Sequence, residues 1–125
     1  MNILLSLILA FSIQTFEADF SKGDLKSIEN YLPDKGKVYI ELSIPFNVYG
    51  FFSKSQVLAL FREIFRYYET KEFKVKERME GGDSIILKIE WKIRDRIMDE
   101  TNQTSIFVRL SLEGHKWFIS EIKGA

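Results

Sequence analysis

Apolar residues along this chain fall first at helical spacing, then in alternation, then at helical spacing again, and finally in long alternation. From Gln14 to Lys22, Phe16 and Phe20 stand four apart, which puts both on one face of a helix. Gly23 sits where glycine commonly ends a helix. Asp24 is placed to cap a second helix, Leu25 to Leu32, whose apolar stripe is Leu25, Ile28, Tyr31 and Leu32. Pro33-Asp34-Lys35-Gly36 reads as a turn, because proline presets φ and glycine permits φ > 0. Lys37 to Ser43 alternates, with Val38, Ile40 and Leu42 on one side and Lys37, Tyr39, Glu41 and Ser43 on the other. Pro45 ends that strand or confines it to an edge.

An aromatic segment, Phe46 to Phe52, leads into the clearest helix, Gln56 to Tyr68, which Ser53 or Ser55 can cap. Val57, Leu60, Phe61, Ile64, Phe65 and Tyr68 make its apolar face. Beyond it the period drops to two. Phe73 and Val75 face one way and Lys74, Lys76 and Arg78 the other. Gly81-Gly82-Asp83 turns the chain into Ser84 to Ile93, where Ile85, Leu87, Ile89, Trp91 and Ile93 share a face. Arg94 to Gln103 reads as a polar connection. Thr104 to Leu112 is a further strand, with Ile106, Val108, Leu110 and Leu112 inward and Phe107 and Arg109 across. Glu113-Gly114-His115-Lys116 is a tight turn into the last strand, Trp117 to Lys123.

The order is α-α-β-(β)-α-β-β-β-β. Strands joined by short turns imply an antiparallel meander, and helices are what is available to cover its apolar face. The expected fold class is therefore α+β, a curved antiparallel sheet wrapped over helices into a cone, with Gln56–Tyr68 as the helix it wraps. A length of 125 residues suits a single domain, and 46% hydrophobic residues permit a core without staples.

The first twelve residues are read apart from that domain. Ile3 to Phe11 is an apolar run of signal-peptide length, too short to span a bilayer, and Ala10-Phe11-Ser12 offers small residues at the positions before a cleavage. Residues 1–12 are thus expected to be a signal peptide and 13–125 the domain. The head lacks Lys or Arg, and helix-forming residues run on to Phe20, so a buried first helix is the competing reading. Cleavage implies the periplasm or cell envelope; retention implies the cytoplasm.

Several stretches together resemble the nuclear transport factor 2-like superfamily, the cystatin-like α+β cone, and within it a family of small exported bacterial domains of unknown function. They are Phe20-Ser21-Lys22-Gly23-Asp24 with Leu32, Val38 to Leu42, Phe52-Ser53-Lys54-Ser55-Gln56, and the Phe107–Ile122 hairpin. Their order and spacing carry the resemblance over the chain after Ser12. It implies a fold and an envelope location, and no activity.

Composition closes off several chemistries. Without cysteine there is no disulfide, thiol nucleophile or thiolate metal site. Eighteen basic and eighteen acidic residues cancel, which argues against a nucleic-acid partner. The stripe Lys71, Lys74, Lys76 and Arg78 has Glu72, Glu77 and Glu80 among it, as a solvated strand face does. Gly81-Gly82 is no phosphate loop, and Asn102-Gln103-Thr104 is a glycosylation sequon with no consequence drawn from it. Asp95, Asp99 and Glu100 are interleaved with Arg94 and Arg96, and read as a loop before a cation site. The single histidine, His115, lies in a turn, where a Ser–His pair is not expected. No cofactor and no metal are expected.

Tyr39, Glu41, Tyr49, Glu90 and Glu121 are the groups that would serve an isomerase, dehydratase or hydrolase if they entered the cone; an exposed sheet face is the alternative. The aromatic set Tyr49, Phe51, Phe52, Tyr67, Tyr68 and Trp91 is the constellation most suggestive of binding. Tyr49, Phe52, Tyr68 and Trp91 are the expected ligand-binding residues of a non-enzymatic domain that takes a small apolar ligand or a protein partner. Phe107 with Ile86 could instead seed a sheet face that pairs into a homodimer.

Overall fold

The computed structural model describes residues 11–124; the apolar run Ile3–Ala10 lies outside them. Helix α1 spans Ile13–Lys22. Ser12 caps it, its hydroxyl oxygen accepting from the Thr15 N–H at 3.1 Å. Gly23 closes it at φ 66°, and a Cβ there would stand 3.3 Å from Cγ of Phe65. Both the left-handed backbone and the close approach call for glycine. Asp24 caps α2, Leu25–Glu29, accepting from the Lys26 N–H and the Ser27 hydroxyl. The second helix is shorter than its apolar stripe. Tyr31 and Leu32 follow in i→i−3 turns, since Pro33 disfavours a helical residue before it.

Strands β1, Val38–Leu42, and β2, Val48–Phe52, form a hairpin whose loop holds Pro45 and Asn47. Helix α3 is Lys54–Tyr67. Its capping box is complete: the Ser53 N–H donates to Gln56 Oε1 at 2.9 Å, and the Gln56 N–H donates back to Ser53 Oγ. The chain passes straight into β3, Tyr68–Gly81, then β4, Ser84–Asp95, β5, Thr101–Glu113, and β6, Lys116–Gly124.

The six strands lie in the order β2-β1-β6-β5-β4-β3. The meander β3 to β6 is antiparallel as expected. The sheet as a whole is mixed, because β1 runs parallel to β6, with Tyr39 opposite Glu121. The expected polar connection contracts to residues 96–100, since Thr101–Gln103 already pair with β4.

Bulges between Thr70 and Glu72 and between Val75 and Glu77 shift the phase of β3. Arg78 is therefore opposite the fully buried Leu87 and lies on the helix side, its guanidinium 5.8 Å from the Phe11 ring centre. Uninterrupted alternation had put it with Lys74 and Lys76. At the same bulge the Val75 N–H donates to Glu17 of α1 at 2.7 Å.

The core lies between the helices and the inner sheet face. Ile85, Leu87, Ile89, Trp91 and Ile93 of β4 are each at most 1% exposed. Phe16, Phe20, Phe61 and Phe73 join them, with Phe20 and Phe73 stacked 5.0 Å apart. Among the described residues no polar or charged residue is buried, and no helix is long and apolar enough to cross a membrane.

Candidate functional site

The β1–β2 loop turns inward against the core near the end of β4. Phe46 stacks on Trp91 at 5.2 Å and meets Tyr68 edge-on at 5.4 Å. Trp91 is 1% exposed, and its indole N–H donates to the Thr70 hydroxyl at 3.1 Å. Phe52 is half-buried against the same core. Tyr68 borders a cleft beside α1 and α3. Tyr49 is 78% exposed and faces away from the helices, opposite Glu41. The four expected binding residues thus divide: Trp91 and Tyr68 meet the inward Phe46, Phe52 packs on the core opposite Val38 at the far end of the hairpin, and Tyr49 stands on the other side of the sheet. Phe46, which meets both rings, carried no separate signal within its aromatic segment.

On that other side the strand registers assemble an apolar and aromatic face. Tyr49 and Phe51 of β2 stand beside Tyr39 of β1, the rings of Tyr39 and Phe51 being 5.0 Å apart. Lys123 of β6 lies 5.8 Å from the Tyr39 ring. Phe107 of β5 is opposite Lys123, Ile86 of β4 is opposite Arg109, and Met79 of β3 is opposite Ile86. Met79, Ile86 and Phe107 line a shallow groove of about 250 Å³ with Arg109, Glu121 and Lys123. The Tyr39 hydroxyl donates to Glu41 at 3.1 Å, and partial burial together with that carboxylate holds the phenol above its ordinary pKa.

No family model and no curated protein matches this chain. Solved structures match over nearly its whole length. A DUF4783 family protein from Bacteroides uniformis is 14% identical, with TM-score 0.71, covering 91% of this chain and 95% of that one. A second, from Bacteroides ovatus, is 13% identical, with TM-score 0.71 and coverages of 93% and 94%. A putative SnoaL-like polyketide cyclase from Mesorhizobium loti is 14% identical, with TM-score 0.65 and coverages of 100% and 99%. The chain has the nuclear transport factor 2-like fold.

Within this nuclear transport factor 2-like cone, the groups considered for catalysis lie outside the core. Tyr39, Glu41, Glu121 and Glu90 share the outer face with Tyr49, and Glu90 pairs with Lys76 at 3.5 Å. Lys71 pairs with Glu69 at 3.2 Å and Arg78 with Glu80, so the basic stripe carries its own counter-charges. Asp95 accepts from the N–H groups of Ile97 and Met98 and shapes the β4–β5 turn, while Arg94 bridges Glu69 and Asp99. Among the described residues no cluster of three or more His, Asp or Glu is arranged to hold a metal. His115 is exposed in its turn and borders a cavity of about 280 Å³ beside Ser12, whose hydroxyl oxygen is engaged in capping α1.

Proposed function

We propose that this domain is a protein-interaction module without catalytic activity, and that the outer face of its sheet takes a second copy of the chain. The observation that carries this is the exposed aromatic face itself. Phe51 is 67% and Met79 49% exposed, on the two edge strands of a face that also carries Tyr39, Phe107 and Ile86, with Glu121, Lys123 and Arg109 between them. Exposed aromatic and apolar side chains gathered on one sheet face, interspersed with charge, are the composition of an interaction surface. The interior, by contrast, is filled by protein side chains.

Size and charge favour a copy of the chain as the occupant. Six strands about 4.8 Å apart span roughly 29 Å, which over about 25 Å of strand length is near ~700 Å² in plan. Side-chain relief brings that to the ~800 Å² per partner of a standard stable interface. The middle of the face holds Lys88, Arg109 and Lys123 with Glu41, Glu90 and Glu121. Both signs on one face let two copies related by a two-fold axis set opposite charges together.

Sedimentation of the mature domain is expected to give a dimer, and Phe107→Glu, with unchanged circular dichroism, a monomer. A wild-type monomer at high concentration would sink the reading. The same proposal keeps the export expectation for residues 1–12, supported by the apolar composition of Ile3–Phe11 and by the bacterial sources of the similar structures.

A further inference from the structure

The strand registers arrange the outer face in rows that run straight across the sheet. One row takes a residue from every strand, from β2 to β3 in sheet order: Phe51, Tyr39, Glu121, Arg109, Ile86 and Met79. Two residues further along the strands lies the next row: Tyr49, Glu41, Lys123, Phe107, Lys88 and Glu77. Met79 belongs to the first row because of the bulge between Val75 and Glu77, which sends Arg78 to the helix side and the next residue outward.

The first row is complementary to its own reversed copy. It runs apolar, aromatic, acid, base, apolar, apolar, and its centre falls between Glu121 of β6 and Arg109 of β5. That boundary is also the middle of the six strands, so a copy turned about it overlaps the whole face. The central charges have capacity for a further partner. Arg109 and Lys88 make no ion pair among the described residues. Glu121 meets Lys123 of its own chain through Oε1 at 3.5 Å, and a carboxylate has a second oxygen to accept with.

A two-fold axis between stacked sheets can run across the strands or along them. An axis across the strands lays each strand on itself. Centred on the first row, it sets Arg109 on Arg109 and Glu121 on Glu121, and like charges face to face oppose association. Centred between the rows, it sets Tyr39 on Glu41, Ile86 on Lys88 and Met79 on Glu77, so apolar side chains are covered by charge. An axis along the strands, above the β5–β6 boundary, keeps the height and reverses the strand order. Phe51 then faces Met79 of the copy, Tyr39 faces Ile86, and Glu121 faces Arg109, each contact occurring twice. In the second row Glu41 faces Lys88, Lys123 lies over the Phe107 ring and Tyr49 stands by Glu77.

We propose that the outer-face dimer, the reading on which this inference rests, is built about the axis along the strands. The aromatic corner of β1 and β2 in one copy covers the Met79–Ile86 end of the groove in the other, and Glu121 pairs with Arg109 at the centre. Aligned sheets cross at about 30°, which displaces contacts at the edges more than those at the centre. The Glu121–Arg109 contact is therefore the strictest.

The chain has no cysteine, so introduced thiols are the only ones to react. Phe51→Cys and Met79→Cys chains are mixed, allowed to exchange and treated with a short bismaleimide. A cross-linked pair with one chain of each kind is expected. Phe51→Cys alone should give none, because the two β2 strands would lie about 24 Å apart across the face. Tyr49→Cys with Glu77→Cys repeats the test in the second row. Without any cysteine, Arg109→Glu should weaken dimerisation at least about tenfold, and Arg109→Glu with Glu121→Arg should restore it. Cross-linking of Phe51→Cys to itself, no mixed product from either pair while the chains sediment as dimers, or a dimer indifferent to Arg109→Glu would each overturn this arrangement and leave the outer-face dimer standing. A monomeric wild type would remove both.

Discussion

Among single residues, Phe46 shows best what distant strands decide, because its ring packs against both Trp91 and Tyr68. Alternation and helical period say only that it is apolar and near a proline. Its inward direction depends on β3 and β4, which lie far along the chain. Phe46→Ala should lower stability by about 2 kcal/mol, below the ~3–5 kcal/mol of a fully buried phenylalanine, because the residue is only half-buried. Denaturant unfolding would measure this, and an unchanged midpoint would mean the ring contributes no packing. Trp91 shows the converse: its place in the alternation of β4 correctly predicted an inward side chain, and the fold buried it completely. Tyr49 shares a hairpin with β1, and the pairing opposite Glu41 sends it outward.

At the scale of elements, local signals were strong wherever the determining contact is itself local. Gly23 and the Ser53–Gln56 box mark helix ends through hydrogen bonds spanning a few residues. Ser53→Ala should cost about 1 kcal/mol by removing the acceptor for the Gln56 N–H, and thermal unfolding would report it as a lower midpoint. The signal failed in β3, where the bulge between Val75 and Glu77 turns Arg78 to the helix side. A bulge is an agreement between two strands and a helix, here sealed by Glu17 on the Val75 N–H. The residues of β3 alone do not announce it.

For the whole molecule, the questions are how it begins and what it meets. Ser12 caps α1, and Phe11 packs 5.5 Å from Phe16 and 6.4 Å from Tyr31. Cleavage after Ser12 would therefore remove a cap and an aromatic contact from the mature domain. Mass spectrometry of the protein from its native host is expected to find the N-terminus at Ile13, and an intact Met1 would refute the export reading.

The order of elements and the inward face of nearly every strand were determined by the sequence itself, because period, caps and turns act over a few residues. The parallel pairing of β1 with β6, the packing of Phe46 on Trp91 and the gathering of Tyr39, Phe107 and Ile86 on one face were decided only by tertiary structure. Tyr39 and Glu121 lie at opposite ends of the domain in sequence and side by side in the sheet. Such neighbours are chosen by the burial of the whole core, and no window along the chain contains that information.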